Sequence, residues 1–222
     1  MKDLFAAIKE DFIHNSDEHR ATGMSKYMRD KFVYFGISSP VRKEIQSKHF
    51  PKKFEVIKKD FKEFIIQCWS QDEREWKYLA MDFSQNYLKK GDLESLDLFE
   101  NLIVDQSWWD TVDCLAANLL GRILRPHPLL GKQKMEEWIE SDNFWLQRTA
   151  IILQLKYKEN TDFELLKKLI LRRASNKEFF IQKASGWALR EYSKLQPTSV
   201  IEFVDSNLLA PLTKREALRL IK

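Results

Sequence analysis

A stretch of this chain recurs, and that recurrence constrains its fold more than any other feature. Trp145-Leu146-Gln147-Arg148-Thr149-Ala150 aligns with Phe180-Ile181-Gln182-Lys183-Ala184-Ser185 at an offset of 35 residues. Trp76, Trp109 and Trp145 stand in comparable segments 33 and 36 residues apart, and Phe180 follows Trp145 after 35. Each period also holds a second amphipathic segment, such as Leu129–Glu140 or Asp162–Arg172. Helix pairs at this period mark an α-solenoid of HEAT-like repeats, in which one helix of every pair lines a concave face. The expected architecture is therefore all-α, a single HEAT-like repeat domain over residues 1–222. A four-helix bundle is the weaker alternative, because bundles lack such a repeat.

Only 6 Gly and 6 Pro occur among 222 residues, and apolar residues recur at spacings of three and four. That pattern predicts helix almost throughout, about a dozen helices joined by short polar turns. Capping boxes are expected at Ser70 with Glu73, Ser107 with Asp110, Thr161 with Glu164 and Thr213 with Glu216. Ser39-Pro40 reads as an N-cap followed by proline at the first helical position. Helix stops are expected at Gly91, Arg125-Pro126, Asn160, Asn176 and Gln196-Pro197. Gly186 falls inside a helix, where it costs about 1 kcal/mol against Ala unless another helix crosses closely there.

A hydrophobic share of 44%, a charged share of 32% and a mean hydropathy of -0.46 exclude a disordered chain and an integral membrane protein. The opening Met1-Lys2-Asp3-Leu4-Phe5-Ala6 soon meets Lys9-Glu10-Asp11, so no secretory segment forms. Two cysteines, Cys68 and Cys114, read as buried thiols in a reducing compartment. These features point to a soluble cytoplasmic protein, and with no dimerisation seam in the pattern, to a monomer. His14, His19, His49 and His127 lie scattered near expected helix ends without metal-ligand spacing. No phosphate-cradling glycine loop or nucleophile elbow occurs, so no cofactor and no metal are expected. Any activity must rest on carboxylates and aromatics.

The net charge is +4, from 37 basic and 33 acidic residues. Residues 143–222 hold 15 basic and 8 acidic residues, a net of +7, whereas residues 1–142 hold 22 and 25, a net of -3. A basic C-terminal third fits a polyanion footprint, although on charge alone solvated helix faces explain it better. Within Ser107-Trp108-Trp109-Asp110-Thr111-Val112-Asp113, Ser107 and Asp110 have structural explanations as helix-start residues. Trp109 and Asp113 are four apart and share a helix face, while Trp108 points to the core. A ring beside a carboxylate can hold a cation. Taken alone, a core tryptophan with a solvated aspartate is the simpler account. The following repeats add Trp145 with Arg148 three later, then Lys183, Trp187, Arg190 and Lys194 at spacings of four, three and four. On one concave surface these would form a basic cleft with aromatics and a single acid, a mixture foreign to a buried structural stripe.

Here the chain resembles the AlkD-type bacterial DNA alkylation-repair glycosylases. The resemblance runs from Tyr27-Met28-Arg29 and Phe35-Gly36-Ile37 to Leu212-Thr213-Lys214-Arg215-Glu216-Ala217. Its most specific blocks are 107–113, 141–148 and 177–187, the last followed by Leu189-Arg190-Glu191-Tyr192. The resemblance implies a HEAT-like solenoid whose basic concave face holds duplex DNA. The implied activity is release of 3-methyladenine and 7-methylguanine by hydrolysis of the N-glycosidic bond, without a base-flipping pocket. It further implies that Asp113 is the catalytic aspartate, Trp109 and Trp187 the cleft tryptophans, and Arg148 a phosphate-binding arginine. Tyr27 matches a family tyrosine near the DNA.

The chemistry is consistent with these residue types. Alkylation makes the purine cationic and already a good leaving group. An ionised Asp113 would then stabilise the oxocarbenium-like sugar and orient the attacking water. Lys156, Lys183, Arg190 and Lys194 would add sequence-independent, salt-sensitive affinity. Two other classes remain: a non-catalytic HEAT-repeat protein that binds unusual or branched DNA, and a protein-interaction scaffold.

Overall fold

A computed structural model of the chain describes residues 2–50 and 58–221. The described residues form helices and connecting turns, without strands. Their contacts divide the chain into two compact units, Met1–Leu88 and Lys89–Lys222. The first holds α1 (Lys2–His14), α2 (Glu18–Tyr27), α3 (Ser39–His49), α4 (Lys58–Trp69) and α5 (Arg74–Tyr87). The second begins with α6 (Leu96–Val104) and α7 (Trp109–Cys114), which continues through a π-helical stretch (Leu115–Leu120) into α8 (Gly121–Leu124). There follow α9 (Pro128–Ile139), α10 (Phe144–Ile152), α11 (Phe163–Arg172), α12 (Phe179–Ser193), α13 (Pro197–Asp205) and α14 (Pro211–Ala217).

The repeat is more regular than the aromatic residues suggest. Ser38, Glu73, Trp108, Asn143 and Glu178 are the N-caps of α3, α5, α7, α10 and α12, each 35 residues after the last. In this register Trp109 is equivalent to Phe144 and Phe179, one position before the expected match with Trp145 and Phe180. Four residues after the N-cap of α5, α10 and α12, a side chain reaches back six residues to close the preceding turn. Gln147 Nε2 donates to the Ser141 carbonyl at 2.7 Å and Gln182 Nε2 to the Asn176 carbonyl at 3.0 Å. Lys77 does the same to Gln71.

The caps themselves differ from the expected boxes. Ser70, Ser107 and Thr213 donate their hydroxyls to the carbonyls of Gln67, Ile103 and Gln182, and none of them is the N-cap of a helix. Glu73 and Trp108 occupy the first two N-cap positions, and Thr213 lies inside α14. Asp162, rather than Thr161, caps α11, accepting from the Leu165 amide at 2.9 Å. Ser38 precedes α3, with Ser39 and Pro40 as its first two residues. Serine and threonine hydroxyls readily bond to a carbonyl three or four residues back, which competes with capping.

Within the second unit the helices form two layers. The α7-to-α8 rod, α10, α12 and α14 stack in order, while α9 and α11 pack together behind them. This is the pairwise stacking of an α-solenoid with HEAT-like repeats. Trp108, Trp145 and Phe180 join three successive repeats, with ring centroids 5.8, 5.2 and 4.9 Å apart. Gly186 is the expected crossing point. A Cβ there would lie 2.5 Å from the Glu216 Cβ and 2.8 Å from the Thr213 carbonyl oxygen of α14.

Candidate active site

Trp108 is buried as expected, and its anchored ring sets the start of α7. One turn and a half later the helix presents Asp113. On α10, the Asn143 side chain accepts from the Trp145 amide at 2.9 Å, which orders the first turn before Arg148. Asp113 and Arg148 share one register of neighbouring repeats, and they bond fork to fork. Arg148 Nε donates to Asp113 Oδ1 at 2.7 Å, and Nη2 donates to Oδ2 at 2.8 Å. Nη1 reaches the next repeat and donates to the Phe180 carbonyl at 2.6 Å. Such paired, charge-assisted bonds fix both distance and plane.

Burial pushes the Asp113 carboxyl above the ordinary carboxylate range; the Arg148 guanidinium opposes that, and the Asp110 charge adds to it. Arginine keeps its proton under all ordinary conditions. Protonating Asp113 would leave that guanidinium buried against a neutral partner, so the geometry favours a carboxylate.

A cavity of about 320 Å³ opens beside this pair, lined by Asp113, Asn118, Lys156, Trp187 and Glu191 among others. The structure thus brings together Asp113, Trp187 and Lys156 of the expected site. Trp109 is half-buried one turn before Asp113 and does not line the cavity. Lys156 is exposed and has no charged partner among the described residues. Tyr27 ends α2 in the first unit and is 72% exposed.

The other expected site residues are engaged within the protein. Arg148 is only 3% exposed, with its guanidinium turned inward to Asp113 and Phe180. Lys183 and Arg190 both pair with Glu216, at 2.7 and 2.6 Å, so their charges are opposed at the α12–α14 crossing. Lys194 pairs with Glu191 at 2.7 Å. Cys114, expected to be buried, is half-buried and lines the cavity. Cys68 is buried, and burial pushes its thiol well up.

Two cavity residues escaped the sequence reading. Asn118 lies in the π-helical stretch, whose wider turn nothing in the hydrophobic spacing announces; such turns recur at functional sites. Glu191 stands four residues after Trp187, the same spacing that links Trp109 to Asp113.

A family model described as DNA alkylation repair enzyme matches residues 8–221. Among solved structures, the chain is similar to one described as a predicted DNA alkylation repair enzyme from Enterococcus faecalis. The two share 32% identity and a TM-score of 0.86, over 93% of this chain and 97% of that one. No curated protein matches. With its 35-residue helical repeat and its charged pair beside a tryptophan-lined cavity, this chain belongs to the DNA alkylation repair enzyme family.

Proposed function

We propose that this protein is a DNA glycosylase that hydrolyses the N-glycosidic bond of cationic N3- and N7-alkylpurines in duplex DNA. Membership in an alkylation repair family supports DNA as the partner. The observation that carries the catalytic reading is the Asp113–Arg148 pair facing a cavity that Trp187 and Lys156 also line. A carboxylate held in that way is fixed before substrate arrives and needs no reorganisation when charge develops nearby. As the bond to C1′ lengthens, positive charge builds on the deoxyribose, and Asp113 stabilises it. Trp187 offers its ring face to the same cation, worth roughly 0.5–2 kcal/mol. Trp109, one turn before Asp113, would join it once DNA is bound.

Arg148 acts here as a positioning residue for Asp113. Lys156, exposed at the rim, takes the phosphate contact. Tyr27 and the paired cations Lys183, Arg190 and Lys194 would lie along the DNA with a smaller share of the affinity.

The test is release of free base from N-methylpurine duplex DNA. Wild-type protein should liberate 7-methylguanine, and Asp113→Asn should nearly abolish release while leaving duplex binding measurable. Binding without release by the wild type would instead favour a non-catalytic DNA-binding role, and neither would leave the scaffold reading.

A further inference from the structure

Glu191 places a second carboxylate on the cavity that Asp113 faces. It lies one turn after Trp187 on α12, as Asp113 lies one turn after Trp109 on α7, so each helix presents a tryptophan and a carboxylate on one face. The two carboxylates are bonded differently. Both oxygens of Asp113 accept from Arg148, the carboxylate side chain being 18% exposed and the arginine 4%. Glu191 Oε2 accepts from Lys194 Nζ at 2.7 Å, while its Oε1 accepts no hydrogen bond among the described residues. Its side chain is 37% exposed and open to solvent.

These differences suit different tasks. Asp113 is a poor proton acceptor, because its protonation would strand a buried guanidinium. It is a good fixed charge. Glu191 offers an open oxygen, a cation that steadies the other oxygen, and a path for a proton to bulk water. We propose that Glu191 holds and deprotonates the attacking water, leaving Asp113 to stabilise the sugar cation. This rests on the glycosylase reading above and moves the water-handling role expected of Asp113 to a second residue.

The C1′–N bond breaks and its electron pair goes to the purine nitrogen, neutralising the alkylpurine cation. The water oxygen bonds to C1′, and its proton passes to Glu191 Oε1 and then to solvent. The products are a neutral alkylpurine, an abasic deoxyribose and one proton. The leaving group is already cationic, so the gain from the base lies at the low end of general-base effects.

The experiment measures single-turnover release of 7-methylguanine from methylated duplex DNA, with duplex affinity and thermal melting measured in parallel. Glu191→Gln keeps the side chain's shape and removes the proton acceptor. It should slow release about 100-fold, with affinity and melting temperature unchanged, and Glu191→Asp should recover part of the rate. Release by Glu191→Gln within about two-fold of wild type would overturn the proposal. So would a slower rate matched by an equal loss of affinity, the mark of a structural role. Absence of release by the wild type would overturn the glycosylase reading, and this assignment with it.

Discussion

Arg148 spends its Nε and both terminal nitrogens inside the protein, two on Asp113 and one on the Phe180 carbonyl. Its influence on any reaction therefore passes through the carboxylate. Burial raises the Asp113 carboxyl, and Arg148 is the group that opposes the rise. In Arg148→Ala, burial acts unopposed and the carboxyl moves further up. Activity that needs the ionised form should then fall most at low pH and partly recover as pH rises. In a pH–rate profile for base release, the acidic limb should shift to higher pH than in the wild type. An unmoved limb would separate Arg148 from the charge state of Asp113. Arg148→Lys should not restore the wild-type profile, because an ammonium cannot reproduce the two-pronged bond. None of this pairing could be read from the spacing of 35. Equal register places two residues on neighbouring helices, but packing sets the rotation between repeats and so decides whether their side chains meet.

At the scale of elements, the crossing of α12 and α14 carries the sharpest steric demand. Gly186 admits the Glu216 side chain and the Thr213 backbone at distances no Cβ tolerates, and Glu216 then ties Lys183 and Arg190 across the same contact. Gly186→Ala should destabilise the protein by about 1–3 kcal/mol through forced separation of the helices, read as a lower midpoint in denaturant unfolding. A midpoint equal to wild type would show that the crossing has slack. This glycine was legible because its helical neighbours gave it no other purpose. The helices were legible too, through their three-and-four spacing. The aromatic spacing differs from the phase of the repeat by one residue, because a large ring can enter the core from the N-cap or from a position inside the first turn. In these two repeats the buried rings are Trp108, at the N-cap itself, and Trp145, at the second helical position, and N-caps, which follow the backbone, keep the true register. The caps were misplaced because a hydroxyl's choice between an amide ahead and a carbonyl behind depends on backbone angles that residue identity does not set.

For the whole molecule, the net charge of +7 over residues 143–222 overstates the cations free to meet DNA. Lys183 and Arg190 share Glu216, and Lys194 answers Glu191, whereas Lys156 has no such partner among the described residues. Lys156→Ala should weaken duplex binding and make the slope of log affinity against log salt shallower by about one. Lys183→Ala should change that slope less. Equal changes would mean that Glu216 does not mask its partners. Charge counted along the sequence locates a basic region, and only the pairing shows which of its members can release counterions from a duplex.

The single guanidinium of Arg148, carried on α10, bonds to the helices of both neighbouring repeats, α7 through Asp113 and α12 through Phe180. Stacked repeats flex by small rotations of each unit against the next. A strut fixed across two joints resists that flexing and is also the part that aims the carboxylate. On the proposed glycosylase reading, local stiffness and reactivity would be one mechanical quantity, and whatever bends the array at those joints would also retune the chemistry.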